Sequence, residues 1–325
     1  MRWTRASAPR NEPRMGIHDL QEQIQLLIAE SGVSAGLALR HLQRGDEILI
    51  NADDPYPMAS VLKIPVLVEA FRRIEAGEFS LDDRWELTTA EKNLGSGTLT
   101  FCDDGLMPTV RDLLTLMIII SDNTATDMII NRLGTQAITA TMHGFGLTSI
   151  HLPLTIRGIF ASILPNADPT QDQYELAKAH ANFTLPPDAA GFSTGPDNDV
   201  SSARHMTDLL DLIFHGRAAG REACNAMLKI LLKQQLNDRL PRFLPPGTRV
   251  AHKTGTLGGH RNDAGILYIN DESGPAANQV ALTLFTNWDI VAVKGDPIAE
   301  RERIHAVDSA FGHIARAVYD HYRAA

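Results

Sequence analysis

The sequence predicts an α+β fold: one antiparallel sheet flanked by helices and built from both chain ends, with an all-α lobe in the middle. Three observations predict it. The chain opens with an amphipathic stretch and a hairpin pattern, its middle third is helical in periodicity, and its last third turns to strands closed by a long amphipathic segment. That order splits one lobe across both ends. The expected organisation is a tail over 1–16, an α/β lobe from 17–88 plus 236–325, and an all-α lobe over 89–235 with a long insertion at about 152–200.

Taken in order, Ile17 to Ser31 places Ile17, Leu20, Ile24, Leu27 and Ile28 at helical spacing, with Gly32 as its stop. Ala35 to Leu42 and Glu47 to Ile50 read as strands, joined through Arg44-Gly45-Asp46. Pro55 and Pro57 break the chain before a helix that begins near Ser60. Thr109 to Leu133 is helical apart from Ser121-Asp122-Asn123, residue types that favour caps and turns. Leu152 to Val200 carries six prolines with little periodicity and reads as a partly irregular insertion. Helical patterning returns at Ser202 to His215 and Glu222 to Gln235. Thr248 to Lys253, Ala264 to Ile269 and Val280 to Thr286 then look like strands, with turns expected at Gly255 to Arg261 and Asp271 to Pro275. Ile298 to Arg323 closes the chain as a helix with Ile304, Val307, Phe311, Ile314 and Val318 on one face.

Composition narrows the function. A chain of 325 residues that is 44% hydrophobic and 21% charged has material for a sizeable core. Its net charge of −9 argues against a nucleic-acid partner. The longest apolar run, Leu113 to Ile120, is far short of the roughly 20 residues of a membrane span. Arg2, Arg5, Arg10 and Arg14 come without an apolar signal region, so the expected compartment is cytoplasmic. Cys102 and Cys224 are expected as buried thiols, and no Cys/His cluster suggests a metal or other cofactor.

Three short motifs carry chemistry: Ser60-Val61-Leu62-Lys63, Ser121-Asp122-Asn123 and Lys253-Thr254-Gly255. S-x-x-K alone arises by chance about once in a chain of this length, so the weight lies in the ordered set. Residues three apart share a helix face, which lets Lys63 reach Ser60. A serine hydroxyl is a poor nucleophile until a base takes its proton. Lys63 sits among Val61, Leu62, Ile64, Val66 and Leu67, and burial there favours its neutral amine. Ser121 is expected to relay a proton to the leaving nitrogen, Asn123 to orient substrate and Lys63, and Asp122 to hold the turn. Lys253 supplies positive charge on an edge strand. Thr254, Thr256 and Arg261 are the expected carboxylate site, and Gly255 permits close approach of ligand and backbone. The backbone amides of Ser60 and Thr256 are the expected oxyanion donors. His252 and His260 flank this strand and are expected at the surface or rim. A Ser-His-Asp triad through one of them is an alternative to lysine.

At these residues the chain resembles the class A β-lactamase family, which belongs with the penicillin-binding proteins. Gly95-Ser96-Gly97, Thr109 to Leu114, the run SDNTATDMIINRLG from Ser121 to Gly134, and Ser201 to Leu210 extend the resemblance over most of Ile17 to Arg323. It implies a β-lactamase/transpeptidase-like fold with the site between two lobes, and a serine hydrolase that acylates Ser60. The substrate class it implies is β-lactams or related amides, small or peptide-like, bearing a carboxylate.

One departure matters. Family enzymes with fast turnover carry a glutamate about 36 residues after the S-D-N serine, which activates the deacylating water. Here that neighbourhood, His151 to Phe160, holds no carboxylate, and no glutamate lies between Glu91 and Glu175. Glu175, or Asp168 or Asp172, folding back from the insertion, is the candidate replacement; the alternative is that deacylation uses Lys63 or is slow. A peptidase, amidase or esterase of the same fold, and a protein that acylates and keeps its adduct, are the competing readings.

Overall fold

The computed structural model describes residues 16–164, 168, 189–270, 277–288 and 296–324. Helix α1 (Ile17–Ser31) ends at Gly32, whose φ of +65° lets its N–H bond back to the Ala29 carbonyl. Strands β1 (Ser34–His41) and β2 (Glu47–Ile50) form the expected hairpin, with Gly45 at φ +77° in its turn. The last third supplies β5 (Arg249–Leu257), β6 (His260–Tyr268) and β7 (Gln279–Asn287). The five-stranded sheet runs β2-β1-β7-β6-β5, every pairing antiparallel, so the first hairpin docks onto the last strand and β5 is left at the edge.

Alternation along the strands buries both faces of this sheet. Leu37, Leu39, Leu282 and Leu284 point to one side, where they pack with Leu20 and Ile24 of α1 and with Val307, Phe311, Ile314 and Val318 of α9 (Pro297–Ala324). Ala38, Ala264, Ile266, Ala281 and Phe285 point to the other, into the core shared with the helical middle. Burying a Leu-sized side chain is worth about 2 kcal/mol, so these two layers hold the two chain ends together.

The middle of the chain supplies α2 (Lys63–Glu75), α3 (Val110–Ile119), α4 (Asn123–Leu133), α5 (Thr135–Gly144), α6 (Ile156–Ile163), α7 (Ala203–Phe214) and α8 (Arg221–Leu231). Two of these were not anticipated. Helix α5 follows α4 directly through Gly134 at φ +82°. Helix α6 lies in the stretch read as irregular; Thr155 caps it by accepting from Gly158 N–H, and Ile156, Ile159 and Ile163 bury one face. Two turns beside a run of prolines are too short to register as a period. The insertion's remainder, 165–167 and 169–188, lies outside the described residues, as does 271–276 with the expected turn at Asp271 to Pro275.

The turn expected at Gly255 to Arg261 is much tighter than read. Strand β5 continues to Leu257 and β6 starts at His260, leaving only Gly258-Gly259 between them. Gly255, Thr256 and Arg261 are therefore strand residues. Their polar and glycine character answers to what packs against this edge. Beside the sheet, with Tyr56 packed on Phe285 of β7, β3 (Tyr56–Pro57) pairs with β4 (Val200–Ser201), and Met58 N–H donates to the Asp199 carbonyl at 2.9 Å. This ties the approach to Ser60 to the end of the insertion.

Candidate active site

Ser60 lies in a 3₁₀ turn, Ala59–Leu62, and α2 begins only at Lys63. The expectation of Ser60 at an α-helix N-terminus is thus corrected by one tight turn, a common lead-in to an α-helix. Ala59, just before the serine, sits at φ +47°, a left-handed conformation that costs a non-glycine residue on the order of 1–3 kcal/mol. Its neighbours hold it there. Asn262 Nδ2 donates to the Pro57 and Met58 carbonyls at 2.8 and 3.1 Å. Gly255 of β5 packs so closely that a Cβ on it would lie 2.6 Å from the Met58 oxygen and 3.2 Å from Val61 N. Only glycine fits there.

Lys63 is fully buried and its amine is the hub of the site. It donates to the Ser121 carbonyl at 2.8 Å, Ser121 Oγ at 2.9 Å and Asn123 Oδ1 at 2.8 Å. Burial pulls its pKa down to about 7, with the charges of Asp122 and Asp127 opposing the shift. Its bonds run to the Ser121-Asn123 turn, and among the described residues Ser60 Oγ has no hydrogen-bond partner.

The S-D-N turn is fully committed. Ser121 holds φ +60°, the second left-handed non-glycine residue of the site. Ser96 Oγ donates to the Ser121 carbonyl at 2.7 Å, Asn123 N–H to the Ser96 carbonyl at 2.9 Å, and Asn123 Nδ2 to the Leu94 carbonyl at 2.7 Å. The Asp122 carboxylate caps α4 through Ala125 N–H and accepts from Thr98 and Leu99 N–H, so it holds the turn as expected.

On the opposite wall Lys253 is fully buried and donates to the Thr254 carbonyl at 2.6 Å. Burial pushes its pKa well below the usual lysine value, and the nearby charge of Lys63 pushes it further. Thr256 Oγ1 accepts from Arg239 Nη2 at 2.5 Å and Arg261 Nη1 at 3.3 Å. Arg239 was not singled out in the sequence. It is buried, donates to the Gly255 and Asn262 carbonyls at 2.7 and 2.6 Å, and pairs with Asp308 at 3.1 Å. Because Leu257 and His260 close a two-residue hairpin, ladder alternation turns the Thr256 N–H outward from the sheet edge.

His252 and His260 are buried, at 1% and 3% exposure, which corrects the expectation of rim residues. Partners explain it. His252 Nδ1 meets Asp263 Oδ1 at 2.9 Å and its Nε2 meets Asn237 Oδ1 at 3.2 Å. Both ring nitrogens of His252 are thus occupied, and His260 Nδ1 meets the Thr286 carbonyl at 3.2 Å, so neither histidine is bonded to Ser60 among the described residues. His260 stacks on Phe192, and burial pulls its pKa down to about 4.

No carboxylate side chain emerges from 151–160. Arg157 is exposed and donates to the Ala90 and Lys92 carbonyls. Asp127, one helical turn beyond Asn123, comes to this region from α4 and was missed. Its oxygens accept from Ile156 N–H at 2.7 Å, Arg157 N–H at 2.8 Å and Asn93 Nδ2 at 2.6 Å, pinning the start of α6. Asp199, also missed, accepts from Leu154 N–H through one oxygen while the other is buried with no hydrogen-bond partner among the described residues, and burial raises its pKa well above the ordinary carboxylate value. Glu175 lies outside the described residues. Cys102 and Cys224 are both free thiols; Cys224 is buried and Cys102 half-buried. Among the described residues no three His, Cys, Asp or Glu side chains gather as a metal site, and no helix is long and apolar enough to cross a membrane.

Comparison with known proteins shows the family. The model of the beta-lactamase enzyme family matches residues 19–322. The chain is 24% identical over 271 residues to the beta-lactamase regulatory protein BlaB of Streptomyces cacaoi, covering 76% of this chain and 84% of that one. It is 21% identical over 309 residues to beta-lactamase VEB-1 of Pseudomonas aeruginosa, covering 94% and 90%. Among solved structures, a beta-lactamase from Sphaerobacter thermophilus superposes with a TM-score of 0.70 at 29% identity over 92% of this chain and 94% of that one. PBP-A superposes at 0.71 and 23% identity over 97% and 99%. From its first helix to its last, the chain belongs to the β-lactamase enzyme family.

Proposed function

We propose that the chain is a serine hydrolase that opens a carboxylate-bearing β-lactam or related amide through an acyl-enzyme on Ser60. The observation that carries this reading is the buried Lys63 amine, three residues from Ser60, bonded to both Ser121 and Asn123. An amine titrating at about 7 is neutral in a useful fraction at ordinary pH and accepts the Ser60 proton as its oxygen attacks the carbonyl carbon. The tetrahedral oxyanion is received by the Ser60 and Thr256 amides. The proton then passes from Lys63 through Ser121 Oγ to the departing nitrogen as the C–N bond breaks. Thr254, Thr256 and Arg261 take the substrate carboxylate, Lys253 adds positive potential, and Gly255 keeps the strand close to the nucleophile turn. Arg239 holds Thr256 from behind.

Deacylation divides two readings. If Glu175 supplies the base, Glu175→Gln traps the adduct. The slow-turnover reading is favoured by the lack of a carboxylate at 151–160 and by the commitment of both Asp127 oxygens to α6 and Asn93. The test of the proposal is hydrolysis of a panel of penicillins and cephalosporins by the wild type and Ser60→Ala. Loss of all β-lactam opening in Ser60→Ala supports the assignment, and undiminished opening refutes it.

A further inference from the structure

A second cavity lies outside the site. It measures about 540 Å³ and sits between α2, α3 and α8. Phe71, Leu116 and Ile230 form its apolar floor, and Arg111, Lys229 and Lys233 stand on its rim. Phe71 is eight residues down α2 from Lys63, which at the helical rise separates their backbones by about 12 Å along the helix axis.

The rim has more positive charge than its surroundings use. Arg111 pairs with Asp82 across an exposed 3.1 Å contact, and the one lining carboxylate, Asp112, is occupied capping Thr109. The side-chain amines of Lys229 and Lys233 have neither an ion pair nor a hydrogen bond among the described residues. The two lysines stand four apart in sequence, Lys229 in the last turn of α8 and Lys233 just past its end. The negative end of α8 offsets one such charge. Two lysines on one apolar opening, in a chain of net charge −9, ask for an anion with a hydrophobic body.

We propose that this cavity binds a small amphipathic anion of the alkyl carboxylate class, its chain on Phe71, Leu116 and Ile230 and its carboxylate between Lys229 and Lys233. The volume suits one such molecule of medium chain length.

The test is an NMR-monitored titration of the full chain with sodium octanoate below its micelle concentration, with octan-1-ol as the neutral control. The expected result is saturable octanoate binding with shifts confined to the cavity lining on α2, α3 and the end of α8, unchanged in Ser60→Ala and weaker by about tenfold in Lys229→Glu/Lys233→Glu, with octan-1-ol binding weaker by a similar factor. Ala226→Trp, which fills the cavity and keeps both lysines, is expected to abolish binding. Octanoate binding lost in Ser60→Ala, equal affinity for the alcohol, indifference to the charge reversal, or no saturable binding each overturns the proposal.

Discussion

Lys63 gives the proposed chemistry its sharpest pH signature. The perturbation is pH itself, applied to the acylation step. Lys63 is fully buried, and the desolvation that brings its pKa to about 7 makes the neutral amine, the form able to take the Ser60 proton, the majority species only above that value. At pH 5 about 1% of such an amine is neutral, so acylation is expected to be about a hundredfold slower than at pH 9, rising tenfold per unit below 7 and levelling above it. An exposed lysine would instead give a rate still climbing at pH 9. The assay is single-turnover acylation by a chromogenic cephalosporin, followed by stopped flow from pH 5 to 9.5. Stability moves with the same group. Its folded pKa lies below the unfolded value, so the unfolded chain binds more protons between about 7 and 10.5 and stability rises across that window. A flat acylation profile, or one with no plateau by pH 9, refutes the assignment of Lys63 as the base.

Other outcomes follow from the same geometry. Gly255→Ala forces a Cβ to within 2.6 Å of the Met58 oxygen, and is expected to lower stability by about 1–3 kcal/mol in urea denaturation and to cut acylation by displacing the Ser60 turn. Arg239→Met removes the 3.1 Å partner of the buried Asp308 carboxylate and leaves it only the longer 3.8 Å contact with Arg261, an expected loss of about 1–3 kcal/mol of stability, with a raised KM for carboxylate-bearing β-lactams as Thr256 loses its support. Asp199 has a folded pKa raised above its unfolded value, so it contributes stability below the unfolded pKa that is lost as pH climbs to the folded one. Thermal melts of Asp199→Asn are expected to lack that fall, and an unchanged pH dependence refutes the reading.

Much of this was legible in the sequence because its signals are local. The Ile17–Ser31 helix reads correctly to its last residue, since an apolar stripe and a Gly32 stop are complete within the segment. Ser60, Lys63, Ser121 and Lys253 announce themselves through short motifs. What stayed hidden depends on distant partners. Arg239 looks like any arginine until β5, β6 and Asp308 close around it. His252 and His260 read as rim residues because nothing near them in sequence shows that Asn237, Asp263 and Phe192 come to meet them. Asp127 lies on the same helix face as Asn123, a signal present in the sequence, but its role rests on α6, which is too short to show its own period.

The central claim is covalent chemistry at Ser60, and intact-protein mass recorded over time after mixing with excess penicillin G tests it most directly. The account predicts a single adduct of the full mass of the antibiotic on the wild type, none on Ser60→Ala, and a lifetime long enough to measure if no carboxylate serves deacylation. An adduct of equal yield on Ser60→Ala, or no adduct and no consumption of the antibiotic by the wild type, would contradict it.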